Sequence, residues 1–259
     1  MRIISIANHK GGVGKTATTH ALGAGLAELG QRVLIIDLDP QASLSGACGF
    51  SGSDPSLADV MGGTEKGTAK LSEIIKPVSD NLSLAPSDLN LAGTERGLYQ
   101  RLGRENVLKR ALETMSASFD VCLIDCPPSL SLLTVNALNA ADGVIIPTQP
   151  AAADLRGLRM FFSTLDDMSE LNPALEVIGI LPTFYDGRLN HHNAAIETMS
   201  GAGLPLLSAR IGRSVKVQEA AGHAESITDY DPQNKRAKEY QVLAEEINQQ
   251  WLNKTKQTH

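Results

Sequence analysis

Aromatic side chains are scarce in this chain: five Phe, four Tyr and one Trp make up 4% of its 259 residues. So few rings do not equip a protein to stack bases along a single strand of nucleic acid, which needs aromatic platforms. Cysteine is scarcer still. Cys48, Cys122 and Cys126 cannot form a disulfide framework and point to a reducing compartment. No apolar run approaches the roughly 20 residues that span a bilayer. The apolar stretch at residues 2–7 is too short for a signal-peptide core and runs straight towards glycines. Nor is there a basic excess. Lys and Arg number 23 against 29 Asp and Glu, a net charge of −6, which argues against a generally basic nucleic-acid binder but leaves local patches open. A hydrophobic content of 42% with 20% charged residues excludes disorder, collagen and coiled coil. The expectation is a soluble, cytoplasmic protein forming one domain over residues 1–259, with no stable membrane insertion.

Short β-branched runs alternate with longer helical stretches, the pattern of βαβ units on a parallel sheet. Strands are expected at Ile3–Ala7, Val33–Asp37, Val121–Asp125, Gly143–Pro147 and Val177–Leu181, all apolar nearly throughout, as strands covered on both faces are. Helices are expected at Thr16–Leu29, ending at Gly30 as a natural stop, and near Thr94–Ser116, Ser131–Ala140, Leu155–Leu171, His191–Gly201 and Lys235–Trp251. Residues 51–67, rich in Gly, Ser, Asp and Thr, read as a surface excursion. The fold class that follows is α/β, a doubly wound and mostly parallel sheet with helices on both faces.

The segment with the most chemistry is Lys10-Gly11-Gly12-Val13-Gly14-Lys15-Thr16, which follows a strand and opens a helix. Glycines let the backbone turn its N–H groups onto an anion, and the helix N-terminus adds partial positive charge. Lys15 supplies a cation for β- and γ-phosphates, and the Thr16 hydroxyl can ligate Mg²⁺. The common phosphate-loop pattern asks for glycine at position 9, where this chain has His9. A stricter variant with the additional Lys10 is matched in full. Asp125 closes an apolar strand at the carboxyl edge, where doubly wound sheets place ligands, and can hold Mg²⁺ through its water shell. A strand-end aspartate before Pro127-Pro128 can also simply cap a turn. Asp37 and Asp39 stand two residues apart at the end of the second strand.

Lys10–Thr16 resembles the deviant Walker A box of the ParA/MinD family of ATPases, and the remainder agrees with the ParA (Soj-like) branch nearly end to end. IIDLDPQ (residues 35–41) looks like that family's second box, and LIDCPPSLSLLTVNAL (residues 123–138) like its Walker B strand and switch. Residues 185–188, 210–220 and 230–240 match later segments more loosely. The resemblance implies ATP and Mg²⁺ as cofactors, with Thr16, Asp39 and Asp125 on the metal side. It implies nucleotide contacts from Lys10 to Ala17 and from Thr183, Ile211, Gly212 and Arg213. It gives Asp39 the positioning of the attacking water, Lys15 the cis charge, and Lys10 a reach across a homodimer to the partner's nucleotide. Two departures stand out near the nucleotide. Ala17 replaces a usual threonine, and Gly212 replaces a usual proline beside the adenine, which is expected to loosen that loop. A third, Pro150-Ala151-Ala152-Ala153 after Gln149, is expected to alter the dimer face or a partner surface.

The resemblance also implies nonspecific duplex DNA binding by the ATP dimer, nucleoid association and a ParB-like adaptor, or a McdB-like one if the cargo is a carboxysome. Candidate DNA contacts are Arg188, Arg213, Lys216, Lys235, Arg236 and Lys238, with an ordinary solvated helix as the competing reading of the last three. From Arg210 onward eight Lys/Arg face seven Asp/Glu, so this end is near neutral while the remainder carries about −7. A MinD-like membrane ATPase is the alternative, and it would need a basic, bulky amphipathic C-terminal helix. The tail offers only Ile247, Trp251 and Leu252. An iron–sulfur protein would need cluster cysteines at a dimer interface, and Cys122 and Cys126 share a strand with Asp125. A metabolic ATP-dependent ligase such as dethiobiotin synthetase would have no use for Lys10. Because the first strand opens at Arg2, a preceding DNA-reading extension is not expected. His191-His192 have no acidic or cysteine neighbour at metal-ligand spacing.

Overall fold

The computed structural model describes residues 1–52, 55–62 and 69–253, apart from the side chains of Ala152 and Ala153. Seven strands form one sheet: β1 (Arg2–Ile6), β2 (Val33–Asp37), β3 (Lys76–Ser79), β4 (Leu82–Ala85), β5 (Val121–Asp125), β6 (Gly143–Thr148) and β7 (Glu176–Pro182). Their spatial order is β3-β4-β2-β5-β1-β6-β7, and only the β3–β4 pair is antiparallel. The helices are α1 (Lys15–Glu28), α2 (Ser43–Ala47), α3 (Leu57–Met61), α4 (Leu71–Ile74), α5 (Asn90–Leu98) and α6 (Val107–Glu113) in the first half. The second half adds α7 (Leu132–Ala140), α8 (Ala152–Met168), α9 (Asn190–Gly201), α10 (Lys216–Gly222), α11 (Ile227–Tyr230) and α12 (Lys235–Ile247).

The central strands β2, β5 and β6 are buried throughout because helices cover both sheet faces, with a separate apolar core on each. α1 is buried almost all round, since it lies between the sheet and α12. Small residues make that possible. A Cβ on Gly23 would come 2.8 Å from Ile35 Cγ2, and one on Gly25 would come 2.9 Å from Ala244 Cβ. The helix stops where expected. Gly30 is left-handed (φ +84°), and Gln31 N donates to Leu26 O at 3.1 Å.

All five expected strands are present, and three expectations need correction. β3 and β4 form a hairpin edge whose turn uses Asn81 at φ +62°. Both are four residues long, and Lys76 and Pro77 give β3 the look of a loop although they suit an edge strand. The helix expected at Thr94–Ser116 is divided. Gly103 turns left-handed between α5 and α6, and Asn136 and Asn139 of α7 donate to the carbonyls of Arg104 and Glu105 at 2.8 Å each. Finally, the excursion at 51–67 includes α3, started by a capping box between Ser56 and Asp59, with Leu57 and Met61 fully buried. Residues 53–54 and 63–68 of it lie outside the described set.

Candidate nucleotide site

β1, β2, β5, β6 and β7 all end at one edge, and the loops after β1, β2, β5 and β7 line a cleft of about 680 Å³. The phosphate loop after β1 is braced from several sides. Asn8 Nδ2 donates to Pro147 O (2.7 Å), Asn8 Oδ1 accepts from Lys10 N (3.0 Å), and Gln149 Nε2 donates to Gly12 O (3.1 Å). Gly12 (φ +70°) and Gly14 (φ +89°) take left-handed conformations that favour glycine, and Gly14 caps α1. His9 is more than an exception to the common pattern. Its ring meets Phe161 edge-on at 5.1 Å and its Nε2 lies 3.3 Å from Thr164 Oγ1, tying the loop to α8.

Lys15 folds back over the loop and donates to Lys10 O at 3.1 Å. Burial pushes its ammonium pKa down, opposed by Asp125, Cys126 and Asp39. Thr16 Oγ1 donates to Asp125 Oδ2 at 2.7 Å, while Asp125 Oδ1 is buried with no hydrogen-bond partner among the described residues. Burial and the neighbouring Asp37 raise the Asp125 carboxyl well above the ordinary range. An orphaned buried carboxylate oxygen beside a hydroxyl, with the half-exposed Asp39 across the cleft, is an all-oxygen set that fits Mg²⁺. Asp37 and Asp39 part company here. Asp37 is fully buried and accepts from Ser45 N (2.7 Å), Ser45 Oγ (2.8 Å) and Asp39 N (3.2 Å). Burial pushes it up to about 6. It anchors α2 and the Asp39 loop, a role that sequence reasoning missed. Ala42 in that loop holds φ +53°, an uncommon conformation for a non-glycine residue.

Of the expected nucleotide residues, all but Lys10 and Val13 line the cleft. Val13 is packed inside, 1% exposed. Lys10 points elsewhere: its Nζ pairs with Asp154 Oδ1 of α8 at 2.5 Å, and Asp154 is almost wholly buried. Phe184, Val215, Val217 and Tyr240 add apolar walls to the cleft. Of these, Phe184 had no local signal in the sequence; it is left-handed at φ +51° and lies beneath the Arg213 guanidinium (5.6 Å). Ala17 lines the cleft and offers no hydroxyl. The departure at residues 150–153 includes Ala152 and Ala153, whose side chains lie outside the described residues.

A second depression, of about 640 Å³, brings together Arg188, Arg213, Lys235 and Arg236 from the expected DNA set, joined by Arg210, which sequence reasoning missed. Asp186 and Glu239 share it. Arg188 pairs with Asp186 (2.7 Å), and Arg236 with Glu239 (2.9 Å) at only 12% exposure. Lys216 pairs with Glu219 outside it, and Lys238 is exposed on α12. Cys122 and Cys126 are buried filling, and the described residues hold no cluster of three or more potential metal ligands among His, Cys, Asp and Glu. The tail residues Ile247, Trp251 and Leu252 pack inward at 1%, 9% and 6% exposure. Trp251 Nε1 donates to Glu176 Oε2 and the Arg2 guanidinium covers its ring, so these residues form no lipid-facing stripe. No described helix is long and apolar enough to cross a membrane.

A family model described as an AAA domain matches residues 1–177. Soj, the sporulation initiation inhibitor protein of Bacillus subtilis, is 39% identical over 251 residues, covering 95% of this chain and 98% of Soj. The structure of cobyrinic acid a,c-diamide synthase from Mycobacterium smegmatis with bound ATP analog and magnesium superposes with a TM-score of 0.86 at 35% identity, over 98% of this chain and 97% of that one. The ATP complex of a Cyanothece McdA variant superposes with a TM-score of 0.82 at 25% identity, over 94% and 96%. With its deviant phosphate loop, doubly wound sheet and strand-end carboxylates, the chain belongs to the ParA/MinD family of P-loop ATPases, beside the Soj-type partitioning proteins.

Proposed function

We propose that this chain is a partitioning or positioning ATPase that closes into a homodimer on ATP, holds nonspecific duplex DNA in that state, and lets go when an adaptor of the ParB or McdB kind stimulates hydrolysis. On this reading it works in the cytoplasm, on the nucleoid. The loop amides and Lys15 cradle the β- and γ-phosphates, and Asp39 orients a water for in-line attack on the γ-phosphorus, giving ADP and phosphate. Thr16 and Asp125, with Asp39 across the cleft, would hold Mg²⁺, which neutralises charge on the phosphate oxygens. Buried Asp37 keeps the Asp39 loop in place.

One observation carries the reading: Lys10 lies next to the phosphate loop yet turns out of its own cleft onto Asp154 of α8. A cation in that position can serve a second copy's nucleotide by exchanging Asp154 for the partner's phosphates. Lys10→Ala is therefore expected to bind ATP as a monomer but to lose ATP-dependent dimerisation and turnover. Mixed with Asp39→Ala, which keeps Lys10 and hydrolyses poorly, it should form mixed dimers by light scattering. A loss of monomer affinity as severe as in Lys15→Ala would place Lys10 in cis and end the reading. The similarity to a cobyrinic acid a,c-diamide synthase favours a second reading, an ATP-dependent synthase that amidates carboxyl groups. Turnover stimulated by a corrinoid carboxylic acid and indifferent to DNA would favour it.

A further inference from the structure

The Gly212 wall of the cleft is held from outside by two side chains of α12. Gly212 N donates to Glu239 Oε2 at 2.8 Å, and the other oxygen of that carboxylate pairs with Arg236 Nη2 at 2.9 Å. The pair is well buried, its side chains 12% and 20% exposed. The guanidinium rests directly on Gly212, where a Cβ would overlap Nη1 and stand 2.5 Å from Cζ. Gly212 is not in a left-handed conformation, so its backbone does not demand glycine. Arg236 does. A proline there would also lack the N–H that Glu239 accepts. The residue before it is fixed from the other side: Ile211 N donates to Pro182 O (2.8 Å) and Ile211 O accepts from Tyr185 N (2.9 Å). The helix carrying the pair is itself anchored, since Asn234 caps it through Arg236 N at 2.9 Å. The expected loosening at Gly212 is thus replaced by a clamp.

We infer that Arg236 and Glu239 are positioning residues for nucleotide binding, fixing the Gly212 segment as the wall against the base. The inference rests on the cleft taking ATP. It also moves Arg236 out of the DNA-contacting set, because its charge is engaged inside the fold.

The test is displacement of a fluorescent ATP analogue, with Mg²⁺, by ATP and by inorganic tripolyphosphate. Glu239→Ala and Arg236→Ala are expected to weaken ATP about tenfold, the scale of one charge-assisted hydrogen bond. Tripolyphosphate should stay within about twofold of wild type, because Lys15 and the loop amides hold it and it carries no base to meet the Gly212 wall. Glu239→Gln, whose amide oxygen still accepts from Gly212 N, should recover part of the loss. Gly212→Ala should resemble Arg236→Ala, and the double variant should be no worse than either, since both break the same interaction. Unchanged ATP affinity, parallel loss of ATP and tripolyphosphate, or additive effects in the double variant would each overturn the clamp. Wild type failing to bind the analogue at all would instead remove the nucleotide reading itself.

Discussion

Three aspartates stand around the phosphate loop, and burial assigns them different work. Asp37 is held by Ser45 and the Asp39 amide, Asp125 keeps one oxygen without a partner among the described residues, and Asp39 alone reaches the cleft surface. A carboxylate must meet water to orient it, so only Asp39 suits that role. Another buried titrating group lies on α1. Burial pushes the His20 imidazole down to about 4, with Asp229 opposing. An unfolded His titrates near 6.5. Below that pH the unfolded chain takes up a proton that the native state refuses. Stability is therefore undiminished above about 6.5 and drains away as pH falls towards 4, by about 2 kcal/mol at pH 5. Urea unfolding at pH 7.5 and pH 5 should show a smaller loss in His20→Gln than in wild type. An equal loss in both would mean that His20 is protonated in the native state.

At the scale of elements, α1 is fixed by how closely its neighbours approach. The same substitution should have opposite signs in two helices. Gly25→Ala drives a Cβ against Ala244 at 2.9 Å, and such overpacking costs about 1–3 kcal/mol, more than the gain of about 1 kcal/mol in helix propensity. Gly157→Ala in α8 meets nothing within 4 Å, so only the propensity gain of about 1 kcal/mol remains. Urea midpoints should fall for the first and rise for the second. Two falls would mean that α8 needs its glycine. The five long strands and α1 were legible because each carries its own apolar run or glycine stop. β3, β4 and the break between α5 and α6 were not. Leu82–Ala85 becomes a strand only by lying beside β2, and Gly103 breaks the helix where asparagines of α7 replace its hydrogen bonds.

Across the whole molecule, a net charge of −6 hides a depression where five cations face two carboxylates. Three exposed arginines and Lys235 remain for a polyanion once Arg236 is assigned to Gly212. Replacing Arg188 and Lys235 with alanine should lower the salt slope of duplex binding by about 0.9 for each phosphate no longer neutralised, equally for all sequences. Filter binding over a salt series, with ATP, reads this directly. An unchanged slope would leave the depression an ordinary solvated face, and equal binding without ATP would break the link to the nucleotide. By itself the sequence determined the phosphate loop, the α/β layering and the strand-end Asp125, because each depends on neighbours a few residues away. Tertiary structure alone decided which aspartate meets the cleft, that Lys10 rests on Asp154, 144 residues distant, and that Trp251 packs on the sheet. It also drew Arg188, Arg210 and Lys235 into one depression and set Arg236 against Gly212. Such contacts are fixed by the packing of α8 and α12 on the sheet, and no local pattern of residues encodes how far two helices approach.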